Sequence, residues 1–238
     1  MDERRGESEP YWTERPRSRS APSERRFLYR GELLAFTVDT GVFSSHGLDP
    51  GTALLIENLG VRPDDRVLDL GCGWGSVGVA AAKAAARGRV VLTDVNRRAA
   101  RLARANLARN GILHAEVRVG EGFAPVAGET FDVIATNPPY RIGRERILEI
   151  LARAYEHLAP AGRLVLVGKG SQGIRYYQGW LEEHWAGRVT VLARGSGYRV
   201  LEARRPPAAA ARVGGADRTG VARARVGALS RSTAGRSA

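Results

Sequence analysis

The chain has 238 residues, is 43% hydrophobic and carries a net charge of +12, nearly all of its basic residues being arginine. That length suits one substantial α/β domain with tails, and the positive excess favours a polyanionic partner such as nucleic acid. One cysteine, Cys72, excludes an internal disulfide and a cysteine-based zinc cluster.

Other compositional signals narrow the class further. His46, His114, His157 and His184 form no ligand spacing, so no metal is expected. No apolar run reaches the roughly 18 residues of a membrane span, and the charged start MDERRGESEP lacks a signal peptide's apolar core. The expectation is a cytoplasmic protein with no membrane partner.

In chain order, residues 1–26 mix Arg and Glu with Pro and Ser without apolar periodicity and read as a disordered charged arm. The domain is expected over 27–205. Strands are expected at 66–70 (RVLDL), 89–94 (RVVLTD), 116–119, 131–136 (FDVIAT) and 163–168. The helices fall at 75–86, 97–110, about 144–158 and 174–186. Gly111 closes the second helix, and Pro160 with Gly162 makes a turn into the fifth strand. The segments 189–193 and 198–203 flank a Gly-Ser-Gly turn and read as an antiparallel hairpin. Residues 206–238, with six arginines against one aspartate, read as a flexible basic Ala/Gly/Arg tail. The βαβ series ending in a hairpin predicts a Rossmann-like, doubly wound α/β sheet of seven strands with one antiparallel strand near the C-terminus.

The first strand runs into VLDLGCGWGSVG. Gly71, Gly73 and Gly75, with Cys72 between them, let the backbone turn sharply and a ligand approach the next helix N-terminus. Asp69 within that loop would repel a pyrophosphate and suits an ammonium group instead. Asp94, followed by Val95, ends the second strand about twenty residues on, where a carboxylate accepts both hydroxyls of a ribose. Glu121 and Gly122 follow the third strand, positioned for an adenine amino group, with Phe123 beside the ring. An amino acid end, a ribose and an adenine together describe S-adenosylmethionine.

The fourth strand stops at Asn137-Pro138-Pro139-Tyr140, in the crevice where open α/β sheets bind ligands. An exocyclic amine is a poor nucleophile because its lone pair is delocalised. The Asn137 side-chain carbonyl and the Pro138 backbone carbonyl can accept its two N–H bonds and favour the positive charge that develops there. The prolines stiffen the corner, Tyr140 offers a face for a planar group, and Arg141, Arg144 and Arg146 suit the phosphates around a target base.

The stretches GVFSSHGLDPGTALL (41–55), VLDLGCGWG (67–75), TDVN (93–96), NPPYR (137–141), SQG (171–173) and GYRVL (197–201) together resemble the class I S-adenosylmethionine-dependent methyltransferases. Within them the resemblance is to the methyltransferase small domain group, which includes the ribosomal RNA guanine-N2 methyltransferases. It covers residues 30–204. It implies that Phe43, Ser44, Asp49, Gly51 and Thr52 form an element close to the cofactor; Phe43, Ser44, Pro139, Arg141 and Arg144 are the residues expected to meet the substrate. The expected activity is methylation of guanine N2 in ribosomal RNA. Methylation of a glutamine amide in a translation release factor and a non-catalytic RNA-binding module remain the alternatives.

Overall fold

The computed structural model describes residue 10 and residues 12–208. The basic tail expected over 206–238 therefore falls, from residue 209 on, outside the described residues. The described chain opens with a hairpin of β1 (Ser23–Tyr29) and β2 (Glu32–Val38), followed by α1 (Pro50–Glu57). Strands and helices then alternate through β3 (Arg66–Leu70), α2 (Ser76–Ala84), β4 (Arg89–Asp94), α3 (Arg97–Arg109), β5 (Ala115–Val119), β6 (Phe131–Thr136), α4 (Arg144–Glu156), β7 (Leu158–Lys169) and α5 (Ile174–His184). A closing hairpin of β8 (Val189–Gly195) and β9 (Tyr198–Arg204) completes them.

The main sheet has seven strands in the order β5-β4-β3-β6-β7-β9-β8. All are parallel except β9, which runs antiparallel to both neighbours, as the closing Gly-Ser-Gly turn predicts. The strand order reverses between β3 and β6, and that reversal opens a crevice beyond their C-terminal ends. Apolar side chains of β3, β4, β6 and β7 divide between two layers. One packs with α1, α2 and α3, the other with α4 and α5. Burial on both faces is why these strands read as near-continuous Val/Leu/Ile runs.

Two expectations change. Residues 12–26, read from sequence as part of a disordered arm, are built into the fold. Arg97 N–H donates to Glu14 O at 3.0 Å, its guanidinium to the Glu14 carboxylate at 2.8 Å, and the Arg98 guanidinium to Ser18 O at 2.8 Å. No apolar periodicity announces it, because polar bonds to α3 hold its first part, while residues 23–26 pair with β2. The turn expected at 160–162 lies inside β7. Leu158 already pairs with Phe131, and the register then shifts to Val133 opposite Arg163. Ala161 takes a left-handed φ of 62° there, so a bulge absorbs the turn.

The first hairpin lies outside the main sheet and docks on α3 through two asparagines one helical turn apart. Asn106 accepts Thr37 N–H at 2.7 Å and donates to Thr37 O at 2.9 Å; Asn110 treats Ala35 the same way at 3.0 and 2.8 Å. Helix spacing of four thus matches strand spacing of two, and side-chain amides stand in for a neighbouring strand.

Candidate active site

At the C-terminal ends of β3, β4 and β6 lies a cavity of about 570 Å³, within the range of small-molecule sites. Its floor is the loop after β3. Gly71 and Gly73 take φ of 75° and 55°, and a Cβ on either would meet no atom within 4 Å, so a ligand can lie against the bare backbone. Gly78 serves packing instead. A Cβ there would stand 2.2 Å from Leu92, so glycine lets α2 press onto β4. Gly75 is the left-handed N-cap of α2, packed near Ala103, and does not line the cavity.

Two acids stand in this floor. Asp69 is 2% exposed and accepts Gly78 N–H at 2.7 Å, which ties β3 to α2. Asp94 accepts Gly73 N–H and Asn96 N–H, each at 2.8 Å. Burial raises the Asp69 carboxyl to about 7, with Asp94 nearby adding to the shift, and raises Asp94 to about 6. Burial, followed by the same two carboxylates, pushes the Cys72 thiol far up, so it is no nucleophile. Thr93 Oγ1, also at the cavity wall, is buried without a hydrogen-bond partner among the described residues. Asn96 caps α3 and donates to Gly41 O at 2.9 Å, holding the 41–48 loop beside β4.

The loop brings Phe43 and Ser44 to the cavity, Ser44 in a left-handed conformation with φ 57° and its hydroxyl bonded to Gly47 O. Asp49 then caps α1, accepting Gly51 N–H at 2.9 Å, Thr52 N–H at 3.0 Å and the Thr52 hydroxyl. Asn137 Nδ2 donates to Thr52 Oγ1 at 3.0 Å and to Asp49 Oδ2 at 3.3 Å. The direction of these bonds is fixed chemically. A carboxylate only accepts, so the Thr52 hydroxyl spends its proton on Asp49 and its oxygen must receive the Asn137 NH₂ group. Asn137 Oδ1 is left without a partner among the described residues, on a side chain that lines the cavity.

The rest of the corner is arranged differently from expectation. Asn137 and Pro139 line the cavity, joined by Ile142; Pro138 and Tyr140 do not. Pro138 O accepts Tyr140 N–H at 2.9 Å. Tyr140 donates its hydroxyl to Val167 O at 2.8 Å, and burial raises its phenol pKa strongly. It anchors the corner to β7, in place of the open stacking face expected of it. Val95, Glu121 and Gly122 line the cavity, and the exposed Glu121 carboxylate lies 3.7 Å from the Arg146 guanidinium. Arg141 and Arg144 stand outside the cavity. Sequence reading missed Trp12, whose only signal was an aromatic residue in a charged segment, together with Trp74 and Ile150.

A family model, the methyltransferase small domain, matches residues 33–202. The chain belongs to that family. The YbxB protein of Bacillus subtilis, described as uncharacterized, is 33% identical over 200 residues, 83% of this chain and 99% of its own length. Ribosomal RNA small subunit methyltransferase C of Pseudomonas syringae pv. syringae is 37% identical over 172 residues, 70% of this chain and 49% of that protein. Among solved structures, the Thermus thermophilus 16S rRNA N2 G1207 methyltransferase, in complex with AdoMet and guanosine, superposes with a TM-score of 0.68. It is 26% identical, covering 80% of this chain and 52% of that one. The chain thus spans about half the length of the ribosomal RNA relatives it matches.

This methyltransferase uses S-adenosylmethionine as its methyl donor. Its cavity suits a cationic donor: bare glycine backbone, two buried carboxylates raised by burial, and an unpaired threonine hydroxyl. Among the described residues no group of three or more His, Cys, Asp or Glu could hold a metal ion, and no helix is long and apolar enough to cross a membrane.

Proposed function

We propose that the chain methylates the exocyclic N2 amine of a guanine in ribosomal RNA, in the cytoplasm. The observation that carries this reading is the Asn137 amide, oriented by Asp49 and Thr52 so that its carbonyl oxygen is unpartnered at the cavity. A free acceptor beside a methyl donor is what a delocalised amine needs, and the names borne by the ribosomal RNA relatives support guanine N2 as that amine.

In this reading S-adenosylmethionine supplies an electrophilic methyl group. Asp69 would face its ammonium end, the backbone of Gly71, Cys72 and Gly73 would carry it, and the Asp94 carboxylate would accept the ribose hydroxyls with Val95 beside it. Glu121, Gly122 and Phe123 border the adenine. Asn137 Oδ1 accepts an amine N–H bond, stabilising positive charge on nitrogen as the N–C bond forms and the C–S bond breaks. The surplus proton leaves to solvent afterwards, so no dedicated base is required. Phe43, Ser44 and Pro139 border the incoming base, while Arg141 and Arg144 outside the cavity suit its phosphates.

The test is methyl transfer from labelled S-adenosylmethionine to ribosomal RNA from a deletion strain, with nucleoside mass spectrometry. N2-methylguanosine in the treated RNA is expected. Label on a glutamine of a translation factor, with none on RNA, would replace this reading by the protein-methylating one.

A further inference from the structure

The corner is continuous with a second feature at the same end of the sheet. A Cβ on Gly168 would lie 2.3 Å from Tyr140 Oη, so the tyrosine hydroxyl crosses directly over that residue of β7. The partner of Gly168 in β9 is Arg199, and the partner of Arg199 in β8 is Arg194. Alternation along β9 puts Arg199 on the face of Leu201 and Ala203, which pack in the layer of α4 and α5. Arg175, in the first turn of α5, belongs to that side too. Burial, then Arg175 and Arg194, lower the Arg199 pKa.

These three arginines form no ion pair with an acidic side chain among the described residues. Like charges directly opposite in an antiparallel pair destabilise a sheet, so folding alone gives no reason for the arrangement. Beside it runs an aromatic series. Tyr140 lies 5.7 Å from Tyr177, Tyr177 lies 5.5 Å from Tyr176, and the Arg144 guanidinium sits 4.6 Å over the Tyr176 ring. Tyr176 is 46% exposed, among the few large apolar or aromatic side chains so presented.

We infer that Arg175, Arg194 and Arg199, with Tyr176 under Arg144, form a track for the single-stranded RNA segment that flanks the target nucleotide. Unpaired guanidinium groups take the phosphates, and the tyrosine–guanidinium pair offers a platform for one unstacked base. A single strand fits better than a duplex because a base must leave its stack to reach the corner. The inference rests on RNA being the substrate.

The test compares the full chain with the triple variant Arg175→Gln/Arg194→Gln/Arg199→Gln and with Tyr176→Ala. The probes are a single-stranded oligoribonucleotide, a duplex of the same sequence and deproteinised small-subunit ribosomal RNA. For the triple variant the salt dependence of single-strand binding should flatten by about 2 log units per log unit of salt, at about 0.7 for each phosphate contact. Tyr176→Ala should weaken single-strand binding at least about fivefold and the duplex less. S-adenosylmethionine affinity should hold in both variants, and the triple variant should unfold at no lower temperature than the parent, since repulsion has been removed. A parent that binds and methylates RNA while the triple variant keeps its affinity and salt slope overturns the track alone. A parent that binds no RNA overturns both the track and the substrate reading.

Discussion

The two walls of the cavity hold their polar groups by different means. On the cofactor side, Asp94 is fixed by Gly73 N–H and Asn96 N–H, and Asp69 by Gly78 N–H: backbone donors in the loop after β3, two residues past Asp94, and in the first turn of α2. On the substrate side, Asn137 is fixed by the side chains of Asp49 and Thr52, 88 and 85 residues away. Backbone donors cannot be mutated away, whereas the Asn137 orientation depends on one hydroxyl that both donates and accepts. The cofactor wall should therefore tolerate single substitutions elsewhere in the chain, and the substrate wall should be sensitive to them.

The sharpest way to separate the walls is Asn137→Ala, expected to cut turnover by roughly 10²–10³, the scale for one preorganised polar group. Cofactor affinity should stay within a few fold. Single-turnover kinetics beside calorimetry with the product cofactor reads both, and a loss explained wholly by poorer cofactor binding would move Asn137 to the other wall. Asp94→Ala is the converse. It removes two charge-assisted hydrogen bonds of about 1.5–3 kcal/mol each, so calorimetry should show cofactor affinity falling at least about a hundredfold while the domain still unfolds cooperatively.

Thr52→Val tests the long-range arrangement itself. It keeps the side chain's shape but removes the hydroxyl between Asp49 and Asn137, so turnover should fall about tenfold, the worth of one such bond, with cofactor affinity unchanged. Thr52→Ser should restore most of that rate, which a role in packing alone would not predict.

The smallest effect is one of pH. Asp69 and Asp94 have folded pKa values raised to about 7 and about 6 by burial. Groups raised in this way contribute stability that is fully present below pH about 4 and is lost as pH rises through those values. A cationic donor prefers the ionised pair, so its affinity should climb between pH 5 and 8. Calorimetry across that range should show a gain of less than about tenfold, and a smaller gain in Asp94→Asn.

Local order in the sequence made the cofactor wall readable. Alternating strands and helices, the glycine spacing and the acids at 69, 94 and 121 are all set by neighbours within a few residues. Those elements stand at or within about two residues of where the pattern puts them, save β7, which begins five residues early. The N-P-P-Y corner was readable as a stiff polar turn, but the role of each member was not. Tyr140 reads as a stacking face until Val167 O and Tyr177 are brought next to it.

What the sequence by itself determined is the class of fold, the glycine and acid pattern of the cavity and the asparagine proposed as acceptor, because each follows from backbone periodicity or from the chemistry of a short run. Only the tertiary structure decided which way the Asn137 amide turns, that residues 12–26 join the fold, and that Arg194 and Arg199 stand opposite one another. Those outcomes depend on side chains that meet across crossovers, or on which face of a hairpin a register puts outward. A one-residue shift of β8 against β9 would separate the two arginines while leaving the composition unchanged.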